Sequence, residues 1–133
     1  MKKLITLLLI VSALTSCKKT EFSPVGPTDL RIRNISDQTF TELTVKIKSQ
    51  IHVYGDIGSW QVSDYFRYDT AFVKAEITAK VNGETFSTSP VNYLGLIHIG
   101  QERITYDVWI SDMAGKKLAI DDVTYEEPLV LKK

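Results

Sequence analysis

The stretch VKAEITAKVNGETFS, residues 73–87, decides how the chain folds. Apolar side chains stand at every second position of its first part, namely Val73, Ala75, Ile77, Ala79 and Val81. A period of two is the pattern of a β-strand with one buried face and one solvated face. Asn82-Gly83 follows, and this pair tolerates the positive φ angles that both central positions of a type I′ turn require. The stretch therefore predicts a tight antiparallel hairpin.

Alternation of the same kind recurs on both sides of this hairpin. It is found in LRIRN (30–34), LTVKIK (43–48) and ITYDVWI (104–110), and the last such segment, KLAIDDVTY (117–125), fits an edge strand. Turn residues separate the segments, and no stretch combines helix caps with the helical period. These features predict an all-β fold, a single antiparallel two-sheet sandwich of the immunoglobulin-like kind with about seven strands.

The immunoglobulin likeness is one of architecture, because the Cys…Trp…Cys spacing of a true immunoglobulin domain is absent. Tyr106 enters a strand shortly after Gly100. It is a candidate for the tyrosine corner, in which the hydroxyl bonds back to upstream backbone.

The chain opens with Met1-Lys2-Lys3 and continues with an apolar run, LITLLLIVSAL (4–14). A membrane-spanning helix needs about 20 apolar residues, and this run is shorter. A positive start followed by a short apolar run is typical of a secretion signal. The run ends at LTSC (14–17), which holds Cys17, the single cysteine of the chain.

LTSC resembles the lipobox of bacterial lipoproteins. The resemblance implies that a peptidase cuts before Cys17, and that Cys17 then carries a diacylglycerol thioether and an acylated amine. Fatty chains would hold the protein at a membrane. With Cys17 given to lipid, the exported domain has no thiol to misoxidise. The alternative is an ordinary secretion signal in which Cys17 is incidental.

The predicted organisation has four parts. A signal peptide occupies residues 1–16, a lipidated tether containing proline and glycine occupies 17–28, the β-sandwich domain occupies 29–127, and a C-terminal tail occupies 128–133. By analogy with lipoprotein sorting, Lys18 in place of an aspartate favours the outer membrane, facing the periplasm. The cell surface is the second choice.

Charge argues against a nucleic-acid partner. The chain has 133 residues with 16 Lys and Arg against 16 Asp and Glu, so its formal net charge is 0. Binding of nucleic acid needs a basic patch that displaces counterions from phosphates. The lipid, rather than charge, is expected to provide the membrane contact.

Few residues offer chemistry. His52 and His98 lie in apolar runs, and with Asp56 they are the candidates for a metal site or a general base. The chain has no nucleophile elbow and no phosphate-binding glycine loop. We therefore predict a non-catalytic protein without metal or cofactor. An enzyme acting on envelope polymers, or an enzyme inhibitor, is the alternative.

Aromatic side chains crowd the segment VYGDIGSWQVSDYFRYDTAF (53–72), and a second irregular segment, SPVNYLGLIHIGQ (89–101), could pack beside it. Rings with polar groups on glycine-containing loops suit a protein or glycan partner. The candidate partner-binding residues are Trp60, Tyr65, Tyr68, Tyr54 and Tyr93. The alternative is that the rings close one end of the sandwich as core. YGDIG, VSDYFRY, SPVNYLG and ITYDVWI are similar to segments of small uncharacterised bacterial lipoproteins, a resemblance that implies no activity.

Overall fold

The structure is a computed structural model that describes residues 25–126. Over that range the chain forms eight β-strands and no helix. The strands are β1 Thr28–Asn34, β2 Phe40–Ile47, β3 Gln50–Ile57, β4 Phe66–Tyr68, β5 Glu76–Val81, β6 Glu84–Ser87, β7 Arg103–Asp112 and β8 Lys117–Tyr125. Cys17, the predicted signal peptide and the predicted C-terminal tail lie outside the described residues. Between residues 25 and 126, no helix is long and apolar enough to cross a membrane.

All eight strands belong to one sheet, which curls into a nearly closed, barrel-like shape. Their order across the sheet is β3-β2-β5-β6-β8-β7-β1-β4. Most neighbours are antiparallel, but β1 runs parallel to β7 over six residue pairs, and β6 meets β8 in parallel at Ser87 and Lys117. The β1–β7 pairing joins the beginning and the end of the described chain into one continuous sheet.

The all-β prediction is confirmed, but the predicted two-sheet, immunoglobulin-like sandwich of about seven strands is wrong. Alternation shows that a strand has one inward face, and strands of sandwiches and of barrels share that property. The two folds differ in how distant strands pair, which no local pattern records. For the same reason β8, predicted to be an edge strand, lies between β6 and β7.

The predicted Asn-Gly hairpin is confirmed. Asn82 has φ 52° and Gly83 has φ 81°, both in the left-handed region that a type I′ turn uses. Val81 and Glu84 pair directly on either side of the turn.

Side chains close the seam between the two edge strands, β3 and β4. The Gln50 side-chain amide donates to the Arg67 carbonyl at 3.3 Å and accepts from the Asp69 N–H at 2.9 Å. The ring of His52 stacks on that of Phe66 with centroids 3.8 Å apart. Polar and aromatic contacts thus replace a backbone ladder at this position.

Large apolar and aromatic side chains fill the interior. The bulkiest fully buried ones are Tyr68, Tyr106, Phe40, Phe72 and Phe86. The Tyr106 hydroxyl donates to the Phe72 carbonyl, so its predicted bond to upstream backbone is present, although the fold is not a sandwich. Every buried side-chain nitrogen or oxygen between residues 25 and 126 has a hydrogen-bond partner.

The barrel-like sheet has two ends, which we name by their relation to the predicted N-terminal tether. At the tether end β1 begins, and the connections 48–49, 69–75 and 88–102 lie beside it. At the far end lie the connections 35–39, 58–65, 82–83 and 113–116. β1 has 7 residues, and at about 3.3 Å per residue it separates the two ends by roughly 20 Å.

Candidate partner-binding surface

The five predicted partner-binding residues do not form one face. Tyr68 is fully buried in the core, where its hydroxyl donates to the Val45 carbonyl at 3.2 Å. Tyr54 lies half-buried at the seam and donates to the Leu30 carbonyl at 2.8 Å. Burial raises the pKa of both phenols above the ordinary tyrosine value. These two rings stabilise the fold, as the core interpretation of the aromatic segment expects.

Tyr65 lies half-buried on the outer side of the sheet, against two guanidinium groups. The Cζ of Arg31 is 4.8 Å from its ring centroid, and the Cζ of Arg103 is 5.1 Å away. A cation over an aromatic face is attracted by the ring quadrupole, by about 0.5–1 kcal/mol where the site is open to water. The two arginines therefore fix the orientation of this ring.

Trp60 is the one of the five that is largely exposed, with 66% of its surface open. Its φ is 61°, in the left-handed region that costs an L residue about 1–2 kcal/mol. Its N–H donates to the Asn34 carbonyl at 2.7 Å, and the Asn34 N–H donates to the Gln61 carbonyl at 3.0 Å. The backbone thus holds a strained residue in place while the indole points into solvent.

Asn34 organises the connections around Trp60. It is fully buried, and its side-chain nitrogen donates to the Gln38 carbonyl at 2.7 Å and to the Ile57 carbonyl at 3.0 Å. Its side-chain oxygen accepts from the N–H and the hydroxyl of Ser36, at 2.9 and 2.7 Å. One asparagine therefore ties the end of β1 to the connection 35–39 and to the end of β3.

Further apolar side chains lie at the same end. Ile35 follows Asn34, and its N–H donates to the Val108 carbonyl at 3.0 Å. With the exposed side chains of Trp109 and Met113 it lines a shallow groove. We call Trp60, Ile35, Trp109 and Met113 the far-end surface.

Ion pairs cover the outer side of β1 and β7. Arg33 meets Asp107 through two hydrogen bonds, and Arg67 meets Asp29 through bonds of 2.8 and 3.1 Å. The hydrogen bond that each guanidinium donates to its partner carboxylate is the main reason that the pKa of each of these two arginines is raised. Asp107 and Thr105, which alternation places on a solvated face, are buried. Arg33 covers Asp107, and Arg31 donates a hydrogen bond of 2.9 Å to the Thr105 hydroxyl.

The three candidates for catalysis lie in separate surroundings. His52 stacks at the seam, and burial lowers its pKa. His98 packs against Phe72 at the tether end, with ring centroids 4.9 Å apart. Asp56 accepts a hydrogen bond from a backbone N–H of β2 at 3.1 Å. In the part of the chain that the structure describes, no group of three or more His, Cys, Asp or Glu is placed to hold a metal ion.

Tyr93, the last of the five, belongs to the tether end. Its ring packs on Phe72 with centroids 5.2 Å apart, and its hydroxyl donates to the Lys46 carbonyl at 3.1 Å. Two neighbours in the same connection, Leu94 and Ile97, are almost fully exposed and were not among the predicted residues. Their signal in the sequence is a pair of large aliphatic residues on either side of Gly95.

A groove beside β8 is lined by three segments, residues 73–75, 88–92 and 118–120. Its lining side chains are aliphatic groups, two small hydroxyls and the Asn92 carboxamide, and Lys74 is its one charged side chain among the described residues. The groove therefore offers surface for contact but few groups for proton transfer.

Comparisons with known proteins leave the family open. No family profile matches the chain, and no curated protein matches it. Among solved structures, the chain is similar to the NMR structure of a protein from Eubacterium rectale, with 16% sequence identity and a TM-score of 0.48. The match covers 71% of this chain and 88% of that one.

Proposed function

We propose that this chain is a lipid-anchored protein of the bacterial envelope that acts as a non-catalytic binding module. The lipid on Cys17 holds it at a membrane, with the periplasmic side of the outer membrane as the first location and the cell surface as the second. The barrel-like domain then presents the far-end surface to a protein or glycan partner.

The exposure and the left-handed backbone of Trp60 are the observation that carries the proposal. An indole exposed to water lacks the stabilisation of about 1.5–3 kcal/mol or more that burial would give it. The left-handed backbone of Trp60 adds a further cost. Both costs persist because Asn34 and Gln61 hold the segment firmly. Strain and exposure concentrated at one aromatic residue are typical of a contact residue, since tryptophan is among the side chains that dominate binding energy at interfaces.

The position of the tether supports the same surface. The chain enters β1 at the tether end, roughly 20 Å from Trp60 by the length of β1. An anchor at Cys17 therefore leaves the far end free to meet a partner in the aqueous phase.

Site-specific crosslinking in intact cells tests the proposal. A photoreactive phenylalanine derivative replaces Trp60 in one strain and Thr78 in a matched strain, because Thr78 is exposed on β5, away from the far-end surface. We expect a discrete crosslinked species from position 60 and none from position 78. Equal crosslinking at both positions, or none at either, would count against a partner at the far end.

A glycan partner is tested in parallel by co-sedimentation with isolated cell-wall polysaccharide. Trp60→Ala removes the exposed indole without touching the core, so circular dichroism and thermal unfolding should change little. We expect that variant to lose the crosslinked protein or the sedimented polysaccharide. A variant that keeps both would overturn the assignment of Trp60.

A further inference from the structure

Two large apolar side chains at the tether end are not buried in the domain. Leu94 is 88% exposed and Ile97 is 87% exposed, the highest values for large apolar residues between residues 25 and 126. A single exposed aliphatic side chain is ordinary on a protein surface. Two of them only three positions apart, each open to water almost completely, form a projecting apolar tip.

The connection that carries the tip has a defined shape. The Leu96 N–H donates to the Tyr93 carbonyl at 3.2 Å, closing a turn in which Gly95 takes φ 78°. The Leu94 N–H donates to the Asn92 side-chain oxygen at 3.1 Å. Leu94 therefore stands at the apex of a hydrogen-bonded turn.

The turn is also fastened to the body of the domain. The Ile99 N–H donates to the Ala71 carbonyl at 2.9 Å, and the rings of Tyr93 and His98 pack on Phe72. Contacts on both sides of the tip therefore fasten it to the domain, and its projection from this end follows from the fold.

The tether enters the domain at the same end. Gly26 lies so close to Asp69 that an added Cβ would be 2.1 Å from the Asp69 carbonyl oxygen. The Thr28 hydroxyl donates to the carbonyl of Gly100, in the same connection that carries the tip. The first described residues are therefore fixed between the connections 69–75 and 88–102.

The length of the tether limits how far this end can move from a lipid on Cys17. Eight peptide steps separate Cys17 from Val25, and a fully extended chain covers at most about 28 Å over that length. Such a tether keeps the tip at a high effective concentration near the bilayer.

Charge at this end gives no strong preference for one lipid type. Cationic and acidic residues lie there in equal number, namely Lys46, Lys48, Arg67, Lys74 and Arg103 with Asp29, Asp69, Glu76, Glu102 and Glu126. An occupant recognised by charge is not favoured by this balance. An apolar occupant fits this charge balance better. The hydrocarbon boundary of the bilayer is apolar, and it is present wherever a lipid on Cys17 is inserted.

We infer that the tether end docks on the lipid bilayer, with Leu94 and Ile97 inserted at the boundary between headgroups and acyl chains. The inference rests on the proposed function, because it takes an anchor at Cys17 as given. It adds a second, weaker contact that orients the domain. The far-end surface then points away from the membrane.

Tryptophan fluorescence in phosphatidylcholine vesicles tests the orientation. Leu94→Trp and, as a matched control, Val53→Trp are made in a Trp60→Phe, Trp109→Phe background, because Val53 is also an exposed aliphatic residue but lies on the side of the sheet. We expect the tryptophan at position 94 to shift to the blue and to be quenched by acyl-brominated phosphatidylcholine. The tryptophan at position 53 should stay unshifted and unquenched.

Three outcomes would overturn the inference. The tryptophan at position 94 could be as insensitive to brominated lipid as the one at position 53. Its quenching could depend strongly on added phosphatidylglycerol, which would indicate attraction by charge. Its emission could shift with an envelope protein extract and not with lipid, which would indicate a protein occupant.

Failure of the anchor and failure of docking are told apart by preparing the chain in two ways. In one preparation the protein is extracted from membranes with its own modification. In the other, a chain beginning at Cys17 is coupled through the Cys17 thiol to a maleimide lipid in the same vesicles. Quenching at position 94 in the coupled chain alone supports docking and counts against the anchor. Its absence in both preparations counts against docking.

Discussion

Arg33 and Asp107 face each other across the parallel β1–β7 pairing, joined by two hydrogen bonds of 2.8 Å between guanidinium and carboxylate. Only 10% of the Asp107 side chain is exposed, against 40% for Arg33. A carboxylate buried to that extent depends on its partner, since it has lost most of its hydration. The pair therefore stabilises the strand pairing that joins β1 and β4 to the other six strands of the sheet.

Removing Arg33 tests this dependence. We expect Arg33→Ala to lower the free energy of unfolding by about 1–3 kcal/mol, because it leaves a buried carboxylate without its charged donor. The matched control is Lys80→Ala, which breaks an exposed pair with Glu42 and should cost less than about 1 kcal/mol. Urea unfolding followed by circular dichroism measures both. Equal losses in the two variants would contradict the role given to the Arg33–Asp107 pair.

Buried tyrosines predict a loss of stability in alkali. Burial raises the pKa of Tyr54, Tyr68 and Tyr106 in the folded chain, whereas unfolded phenols titrate near about 10. Above that pH the unfolded chain loses protons that the folded chain keeps. The free energy of unfolding is therefore at its full value below pH of about 10 and falls as the pH rises beyond it.

Phenolate absorbance and circular dichroism, recorded together, check the alkaline prediction. Ionisation of the buried phenols should coincide with unfolding. In Tyr106→Phe, one proton fewer is released, so the free energy of unfolding should fall less steeply with pH above about 10. A slope equal to that of the unsubstituted chain would show that Tyr106 does not take part.

The backbone of Trp60 predicts a difference between two small replacements. Glycine accepts a φ of 61° freely, while alanine keeps the left-handed strain. We expect Trp60→Gly to be more stable than Trp60→Ala by about 0.5–1 kcal/mol, after the greater entropy of glycine in the unfolded chain is allowed for. Thermal unfolding of the two variants measures this. Greater stability of the alanine variant would show that the segment relaxes out of the left-handed region.

Gly83 completes the type I′ turn between β5 and β6. Its φ of 81° leads us to expect that Gly83→Ala costs about 1–2 kcal/mol. Gly58 is the matched control, because its φ is not in the left-handed region and an added Cβ would meet only the flexible Gln61 side chain, at 3.3 Å. Gly58→Ala should therefore be close to neutral in urea unfolding. Similar costs for both variants would contradict the assignment of the Gly83 loss to its backbone conformation.

Local features of this fold could be predicted from the sequence, and long-range ones could not. The Asn82-Gly83 turn is visible because its chemistry lies within two residues. The contact of Arg33 with Asp107 spans 74 residues, and alternation leaves the pairing partner of each strand open. The choice between a sandwich and a barrel-like sheet depends on such contacts.

The candidate site shows the same division. Trp60 and Tyr68 lie in one aromatic segment, yet one is exposed and the other is core. β4 has only three residues, so it offers too little alternation to assign Tyr68 to the inner face. The exposure of Leu94 and Ile97, and their position at the end where the described chain begins, are both set by the tertiary fold.

The central claim is that a lipid on Cys17 holds a barrel-like domain at a membrane. Intact-protein mass spectrometry of the chain extracted from its native membranes tests this claim most directly. We predict a mature chain that begins at Cys17 and carries the added mass of diacylglycerol and one further acyl group. A chain that begins at Met1, or one whose Cys17 thiol is free, would contradict it.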